Sequence, residues 1–504
     1  VNVDAVHREF LSRIETQRWP LPHEADVHAM LARWIAHFEA DSGALEALHP
    51  GWRLHRGGAR RHYHVDPLGP KIAQGWADLL FGAPPEFTAA AEGDQDRLDD
   101  LLKASRLPAH LRRAEEVCSS EGEVWWRIYV DAELAPFPLI EFHSRLDVLP
   151  LYLGAHLAAC AYVTRLEAKR GQSAESAIWR LLEVHLPGEV RNELFKGTKD
   201  NLGDHVDLAQ GGDETARLVP RWVHGMPGML AGRVVNRLGR DPRLGVSDFA
   251  RIEDDLFTLN EASTIGHENM RLAGKHRIAV DDDQIDQSSG VWDAGEDVIA
   301  IRNDDRVTGT DNRIVGAPTV LEYTYTPEAL IAWQDNVVKR AATRADMTPQ
   351  WIGVEDVSGQ AESGTALRTR LIPTVVAGEG RGRFWDEELP NVLRLLQLLD
   401  AAPTTALGFG RPWSDPTSVP AVERRPSIPP DPLEQTANDV ELVTAEIESR
   451  RTVRERQHPE WDEERQVMED ERIRRERDAA VQNLGLGLGP VRPEGQGEGP
   501  PETG

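Results

Sequence analysis

His62, Tyr63, His64 and Asp66 form the densest group of side chains able to do chemistry in this chain of 504 residues. Two imidazoles and a carboxylate this close could seed a metal site, although the group beside Pro67 reads more simply as a loop. Gly266-His267-Glu268-Asn269-Met270 has the first histidine of a zinc-helix motif but lacks the second. Asp281, Asp282 and Asp283 could attract calcium. The central glycine and closing glutamate of a calcium loop are missing, so a solvated acidic loop is the better reading. Gly485, Gly487 and Gly489 precede no helical pattern and make no dinucleotide fingerprint. There is no Gly-Lys-Ser/Thr loop for nucleotide hydrolysis, and no serine in a nucleophile elbow. Ser363 reads as a helix cap. Trp125, Trp126, Trp179, Trp333 and Trp385 fall at strand or helix spacing and read as core. A base-stacking platform would need basic residues between them. The residues therefore assign no catalytic, cofactor or metal site, and the chain is expected not to be an enzyme.

The bulk composition narrows the remaining classes. A chain of this length exceeds what one hydrophobic core usually serves, so several structural units are expected. The net charge is −27. Such a surface repels phosphate, whereas tight nucleic-acid binding needs Lys and Arg to neutralise it. The protein either ignores nucleic acid or works near it without sticking. Cys118 and Cys160 are too few for a disulfide framework or a cysteine-type zinc site. A reducing compartment follows as the expectation. The charged, helical pattern after Val1 shows no signal-peptide core, and no apolar run approaches transmembrane length. The chain is expected to be soluble and intracellular when made.

The elements that must position these residues follow from periodicity. Phe10 to Leu48 is helical with a break at Pro20-Leu21-Pro22. Pro70 starts a helix through Ile72, Trp76, Leu79 and Leu80 that ends at Gly82 and Pro84-Pro85. Asp94 to Val117 reads as one helix interrupted near Pro108. Val124, Trp126, Ile128 and Val130 share a strand face. Leu139 to Phe142, Ala159 to Leu166 and Ala177 to His185 continue the β pattern, and Val190 to Phe195 returns after the Pro187-Gly188 turn. Ser247 caps a helix with Asp248 near its positive end. An insert with short strands at 278–280, 298–301 and 320–325 is rich in aspartate. Thr326-Pro327-Glu328 restarts a helix, striped by Leu330, Trp333, Val337, Ala341 and Ala345. A polar loop from Met347 to Glu362 precedes a long helix, which Pro373 should kink and Gly378, Gly380 and Gly382 should weaken. Ala402 to Pro432 reads as an extended linker, Glu434 to Ala480 as a charged helical pair broken at His458-Pro459, and the tail as disordered.

This order of segments resembles the portal proteins, the head-to-tail connectors of tailed double-stranded-DNA bacteriophages. The likeness is carried by Ile72-Ala73-Gln74-Gly75-Trp76-Ala77-Asp78-Leu79-Leu80-Phe81-Gly82-Ala83-Pro84, by Trp179 to His185 with the Pro187-Gly188 turn, by Leu238-Gly239-Arg240 through Ser247-Asp248-Phe249, and by Ser363-Gly364-Thr365-Ala366-Leu367. It implies an α+β ring subunit. The α/β wing would take residues 1–246 and the long kinked helix 363–402. Stem helices would occupy 247–275 and 326–346, a small β-containing clip 276–325, and a tunnel loop 347–362. A linker at 403–433 would lead to crown helices at 434–480 and a disordered tail at 481–504. The glycines of the long helix depart from the family pattern and put its continuity in question.

The resemblance further implies a homo-oligomeric ring, expected to hold twelve copies, at one capsid vertex of the virion after assembly in the host cytoplasm. Double-stranded DNA would be packaged and ejected through it without base readout. Thr348, Gln350, Trp351, Glu355, Asp356, Ser358 and Gln360 of the tunnel loop would face the DNA. Asp293, Glu296, Asp297, Asp304 and Asp305 of the clip would dock partners, first the terminase large subunit and then a head-completion adaptor. Major capsid and scaffolding proteins would also contact the ring, and no membrane or cofactor is implied. Two other readings stay open: an acidic metal-dependent hydrolase using His62, His64 and Asp66, and a capsid structural protein without a channel.

Overall fold

The computed structural model describes residues 2–14, 18–49, 62–131, 134–166, 178–273, 277–281, 298–301, 319–321, 327–354, 364–403, 409–424, 439–445, 447, 449–458, 461 and 463–485. The chain divides into two units, Val1–Ser427 and Ile428–Gly504. The first is a mixed helix-and-sheet unit of the α+β class. It opens with helices α1 (Val3–Ile14), α2 (Ala25–Glu39), α3 (Ser42–Leu48) and α4 (Leu68–Phe81), then a short strand β1 (Glu86–Thr88). Helices α5 (Gln95–Ser105) and α6 (Leu107–Glu121) follow. The interruption expected near Pro108 in the 94–117 helix divides it in two. The break falls at Arg106, whose φ of 53° puts it in the left-handed region, and Pro108 serves as a first-turn proline of α6.

Strands β2 (Glu123–Tyr129), β3 (Leu139–His143), β4 (Val148–Leu153), β5 (His156–Leu166), β6 (Ile178–Leu186), β7 (Glu189–Thr198), β8 (Asn201–Val206), β9 (Arg221–Val223) and β10 (Ala231–Val235) come next, with a one-turn helix α7 (Asp213–Ala216) between β8 and β9. They build two antiparallel sheets. The larger runs β4-β5-β6-β7-β8 with β9 also on β7, and the smaller runs β10-β2-β3. The Pro187-Gly188 turn pairs Leu186 with Glu189, as its turn chemistry required. Alternation along β2 decides what each face buries. Val124, Trp126 and Ile128 enter a core with α5, α6 and the C-terminal half of the long helix described below. Trp125 points the other way, into a cluster with Val148, Cys160, Tyr162 and Ala231. Helix α1 covers the larger sheet, laying Val6, Phe10 and Ile14 over Leu149, Leu151, Leu182 and Val184.

The remaining elements of this unit are α8 (Glu253–Ala273), strands β11 (Arg277–Asp281), β12 (Val298–Ile301) and β13 (Thr319–Leu321), helices α9 (Pro327–Arg344) and α10 (Gly364–Ala401), and strand β14 (Ala421–Glu423). Strand β11 is central in its sheet, parallel to β12 and antiparallel to β13. Helix α10 corrects the expectation of weakness at its glycines. It runs for 38 residues through Pro373 and Pro390 without a break, and two of its glycines are places of close packing. A Cβ on Gly378 would stand 2.5 Å from Leu79 Cδ2, and one on Gly382 would run into the Arg424 guanidinium. Tertiary contact holds the helix where propensity alone would not. The linker expectation also needs correcting. Within 403–433, β14 pairs antiparallel with β1, Trp413 Nε1 donates to Asp400 Oδ2 at 2.9 Å, and Ser414 N donates to Asp94 Oδ1 at 2.8 Å. In the second unit, helices Arg450–Gln457 and Glu463–Gly485 flank His458, and Arg454 pairs with Asp470 at 2.6 Å.

Candidate functional site

Two helices, a loop base and one buried ion-pair hub define the part of the fold that could act. Ser247 accepts a hydrogen bond from Phe249 N at 2.9 Å and so opens the chain's turn into a short 3-10 segment, Phe249–Arg251. Glu253, Asp254 and Asp255 then fill the first turn of α8, where acids suit the helix dipole. Asp255 is buried, and it receives Arg340 Nε at 2.9 Å and Arg344 Nη1 at 2.8 Å from α9. Further along, Gln334 Nε2 donates to Ser263 Oγ at 3.2 Å. These two rungs run in opposite residue order, so α8 and α9 are antiparallel. The small sheet β11–β13 comprises segments of the chain that follow α8 and precede α9.

Among the described residues, burial is concentrated at one end of this helix pair. Ile252, Leu256, Leu259, Val337, Ala341 and Ala345 join Ile72 and Trp76 of α4 in one cluster. Toward the insert, Ile265, Met270, Ile331 and Trp333 stay 39%, 61%, 53% and 44% exposed. The expected core stripe of α9 therefore holds at Val337, Ala341 and Ala345 but fails at Trp333. The cluster that takes in α4 includes Val337, Ala341 and Ala345 and leaves Trp333 out.

The loop after α9 is pinned at its start. Asp346 adopts a φ of 58° and ends the helix. Met347 is buried, and Pro349–Ile352 form a 3-10 turn closed by Gly353 at a φ of 82°. Thr348 N donates to Thr374 Oγ1 at 2.8 Å, and the two threonine hydroxyls lie 2.9 Å apart. Trp351 Nε1 donates to Gly75 O at 2.9 Å. Gly75 lets the loop approach closely: a Cβ would sit 2.9 Å from Met347 Cε and 3.1 Å from Trp351 Cδ1. Thr348 and Trp351, expected to face DNA, bond α10 and α4 within the chain and so anchor the start of the loop. Gln350 lies beside them, half-buried. Glu355, Asp356, Ser358 and Gln360 lie outside the described residues, as do Asp293, Glu296, Asp297, Asp304 and Asp305 of the insert.

The hub joins these parts. Arg381, in the middle of α10, donates from Nη1 to Asp248 Oδ2 at 2.5 Å and from Nη2 to Asp248 Oδ1 at 2.7 Å. It also reaches Asn236 Oδ1 at 2.7 Å and stacks over the Trp76 ring at 3.6 Å. Asp248 further accepts from Ser119 Oγ at 2.8 Å and Arg237 Nη2 at 2.6 Å, and Arg237 pairs with Asp346 as well. Burial pushes the Asp248 carboxyl up, but Arg381 and Arg237 prevail and hold it below its ordinary value. Glu115 stands nearby, taking Trp385 Nε1 on Oε2 at 2.6 Å, while its Oε1 has no partner among the described residues. Burial raises it to about 7. Sequence reasoning missed this hub. It assigned Asp248 to the helix dipole and gave Arg381 no role. The available signal was an arginine on an apolar stripe, between glycines that let neighbours approach.

The histidine group does not converge on a metal geometry. The His64 ring lies tilted against His267 at 4.1 Å and edge-on to His62 at 4.8 Å between ring centroids. Asp66 is tied through its own N–H to Asn260 Oδ1 at 2.9 Å. Among the described residues, no group of three or more His, Cys, Asp or Glu side chains is placed to hold a metal ion. No described helix is long and apolar enough to cross a membrane.

No protein-family model matches the chain, and no curated protein matches it. Among solved structures it is similar to a chain from the virion of a native gene transfer agent particle. There the identity is 11%, over 84% of this chain and 98% of that one, with a TM-score of 0.41. It is also similar to a chain from the neck of an empty gene transfer agent particle computed with C6 symmetry, at 12% identity over 77% of this chain and 89% of that one, TM-score 0.42. Similarity this loose leaves function to be argued from the chain's own residues.

Proposed function

We propose that this chain is a portal subunit, a non-enzymatic ring component through which double-stranded DNA passes into and out of a phage-type capsid. The observation that carries the reading is the set of exposed apolar side chains on the insert-side half of the antiparallel α8–α9 pair, Ile265, Met270, Ile331 and Trp333, which point to more than one side of it. A two-helix stalk does not bury side chains on several sides by itself, and the two neighbours that each subunit of a closed heterologous ring meets would cover them. The ring surrounds DNA without gripping it, because a chain of net charge −27 offers few phosphate partners. The anchored start of the loop at Met347 to Gly353 supports a segment presented from a fixed base. In this reading residues 355–360 meet the duplex, and the acidic insert docks a terminase motor and then an adaptor. The ring takes its place at a capsid vertex among capsid and scaffolding proteins.

Mass photometry and negative-stain imaging of the purified full chain test this reading. Closed rings with a central hole are expected. A strictly monomeric species at assembly concentrations, or assemblies without a hole, would overturn it.

A further inference from the structure

Residues 62–66 lie as a strap along α8, antiparallel to it. His64 N donates to Thr264 Oγ1 at 2.9 Å, and Asp66 N donates to Asn260 Oδ1 at 2.9 Å. The two acceptors stand one helical turn apart on a single face of α8. Tyr63 anchors the strap, buried with Ala36, Leu45 and Phe257, and its hydroxyl lies 3.0 Å from His49 Nδ1. The strap meets α8 where burial gives way to exposure: Leu259 and Ala262 are buried, and Ile265 is exposed.

Three imidazoles gather at this seam. The His64 ring centroid is 4.1 Å from that of His267 and 4.8 Å from that of His62. His64 is half-buried, whereas His62 and His267 are exposed. Two of the rings belong to the strap and one to the helix, so like charge on them acts across the seam. The other ionisable groups of the junction are Asp66 of the strap, His37, Glu46 and His49 on the side of α2 and α3, Lys71 of α4, and Glu261 and Glu268 of α8. Glu261 acts on His49, Glu261 and Glu46 act on Tyr63, and Lys71 acts on Asp66. On His64, burial acts first and then His267 and His62, and all three hold it below its ordinary 6.5. The unfolded chain therefore takes up that proton more readily than the folded one. The hold of the strap is complete above about pH 6.5 and declines as the pH falls below it.

We infer that residues 62–66 form a proton-sensitive latch on α8, closed while His62, His64 and His267 are neutral and loosened when acid charges them together. Opening it removes a support from the middle of α8 and lengthens the uncovered part of that helix. The inference stands apart from ring formation, since every group named belongs to one chain.

Hydrogen exchange of the full chain, read by mass spectrometry and corrected for intrinsic rate, tests it. The buffer holds a chelator, so that protons alone act on the rings. Between about pH 7.5 and about pH 5, protection of a peptide spanning residues 62–66 should fall by at least about tenfold relative to a peptide from β5. His267→Gln, at an exposed position, removes the ring of the helix and should keep most of that protection at the lower pH. His62→Gln should act in the same direction to a smaller degree. No loss in the parent, an equal loss in the β5 peptide, or an equal loss in parent and His267→Gln would each overturn the inference.

Discussion

At the scale of single residues, the buried charges around α10 control stability. Removing one partner of a buried pair leaves the other unpaired, which costs about 3–5 kcal/mol. Asp248→Ala, which strands Arg381 and Arg237, should therefore lower the unfolding free energy by about that amount in urea titration. Glu115 gives a pH signature. Its folded value of about 7 lies above the ordinary 4.5, so the folded chain holds its proton more tightly than the unfolded chain. Stability from this group is full below about pH 4.5 and is lost as the pH rises through 7. Burial holds His28, His37 and His224 down to about 4, which tilts the profile the opposite way between 4 and 6.5. The comparison of interest is thus variant against parent. Glu115→Gln should remove a decline of up to about 3 kcal/mol between pH 4.5 and 7. Parallel curves for variant and parent would show that Glu115 does not titrate in that range.

At the scale of elements, α10 separates propensity from packing. A methyl group on Gly380 would meet nothing within 4 Å, whereas Gly378 sits against Leu79. Gly380→Ala should stabilise by about 0.5–1 kcal/mol through backbone entropy alone. Gly378→Val should destabilise by about 1–3 kcal/mol through overpacking. Thermal unfolding of the two variants reads the difference in sign. The loop base makes a second case. Trp351→Ala loses the bond to Gly75 and its packing, and should cost about 2 kcal/mol in the isolated chain. A side chain reserved for DNA would leave stability unchanged.

At the scale of the whole molecule, the predictions concern assembly. Like-charged copies repel, so salt that screens a net charge of −27 per chain should favour the ring, as sedimentation at low and high salt would show. Ile331→Lys with Trp333→Lys should shift the same measurement toward monomer without lowering the unfolding midpoint, since both side chains are exposed within the chain. Deleting Val354 to Gln360 should leave folding and assembly intact and impair DNA packaging or retention. Loss of assembly in that deletion would mean that the loop is structural.

The local signals carried far because they are local. Alternation in Val124 to Val130, the Pro187-Gly188 turn, the Ser247 cap and the Thr326-Pro327-Glu328 start all depend on neighbours within a few residues. So did the α+β class and the order of helices and strands around the acidic insert. What sequence could not decide was distance. The Arg381–Asp248 pair spans 133 positions, and β14 meets β1 across more than 300, contacts that no periodicity encodes. Glycines that looked like weak points proved to be sites of close approach, because only the fold brings Leu79 and Arg424 to them. Trp351 bonds Gly75 across 276 positions, and Trp333, expected in the core, is exposed, for one reason. A side chain's type gives its cost of exposure, and only the tertiary structure says which neighbour removes it from water.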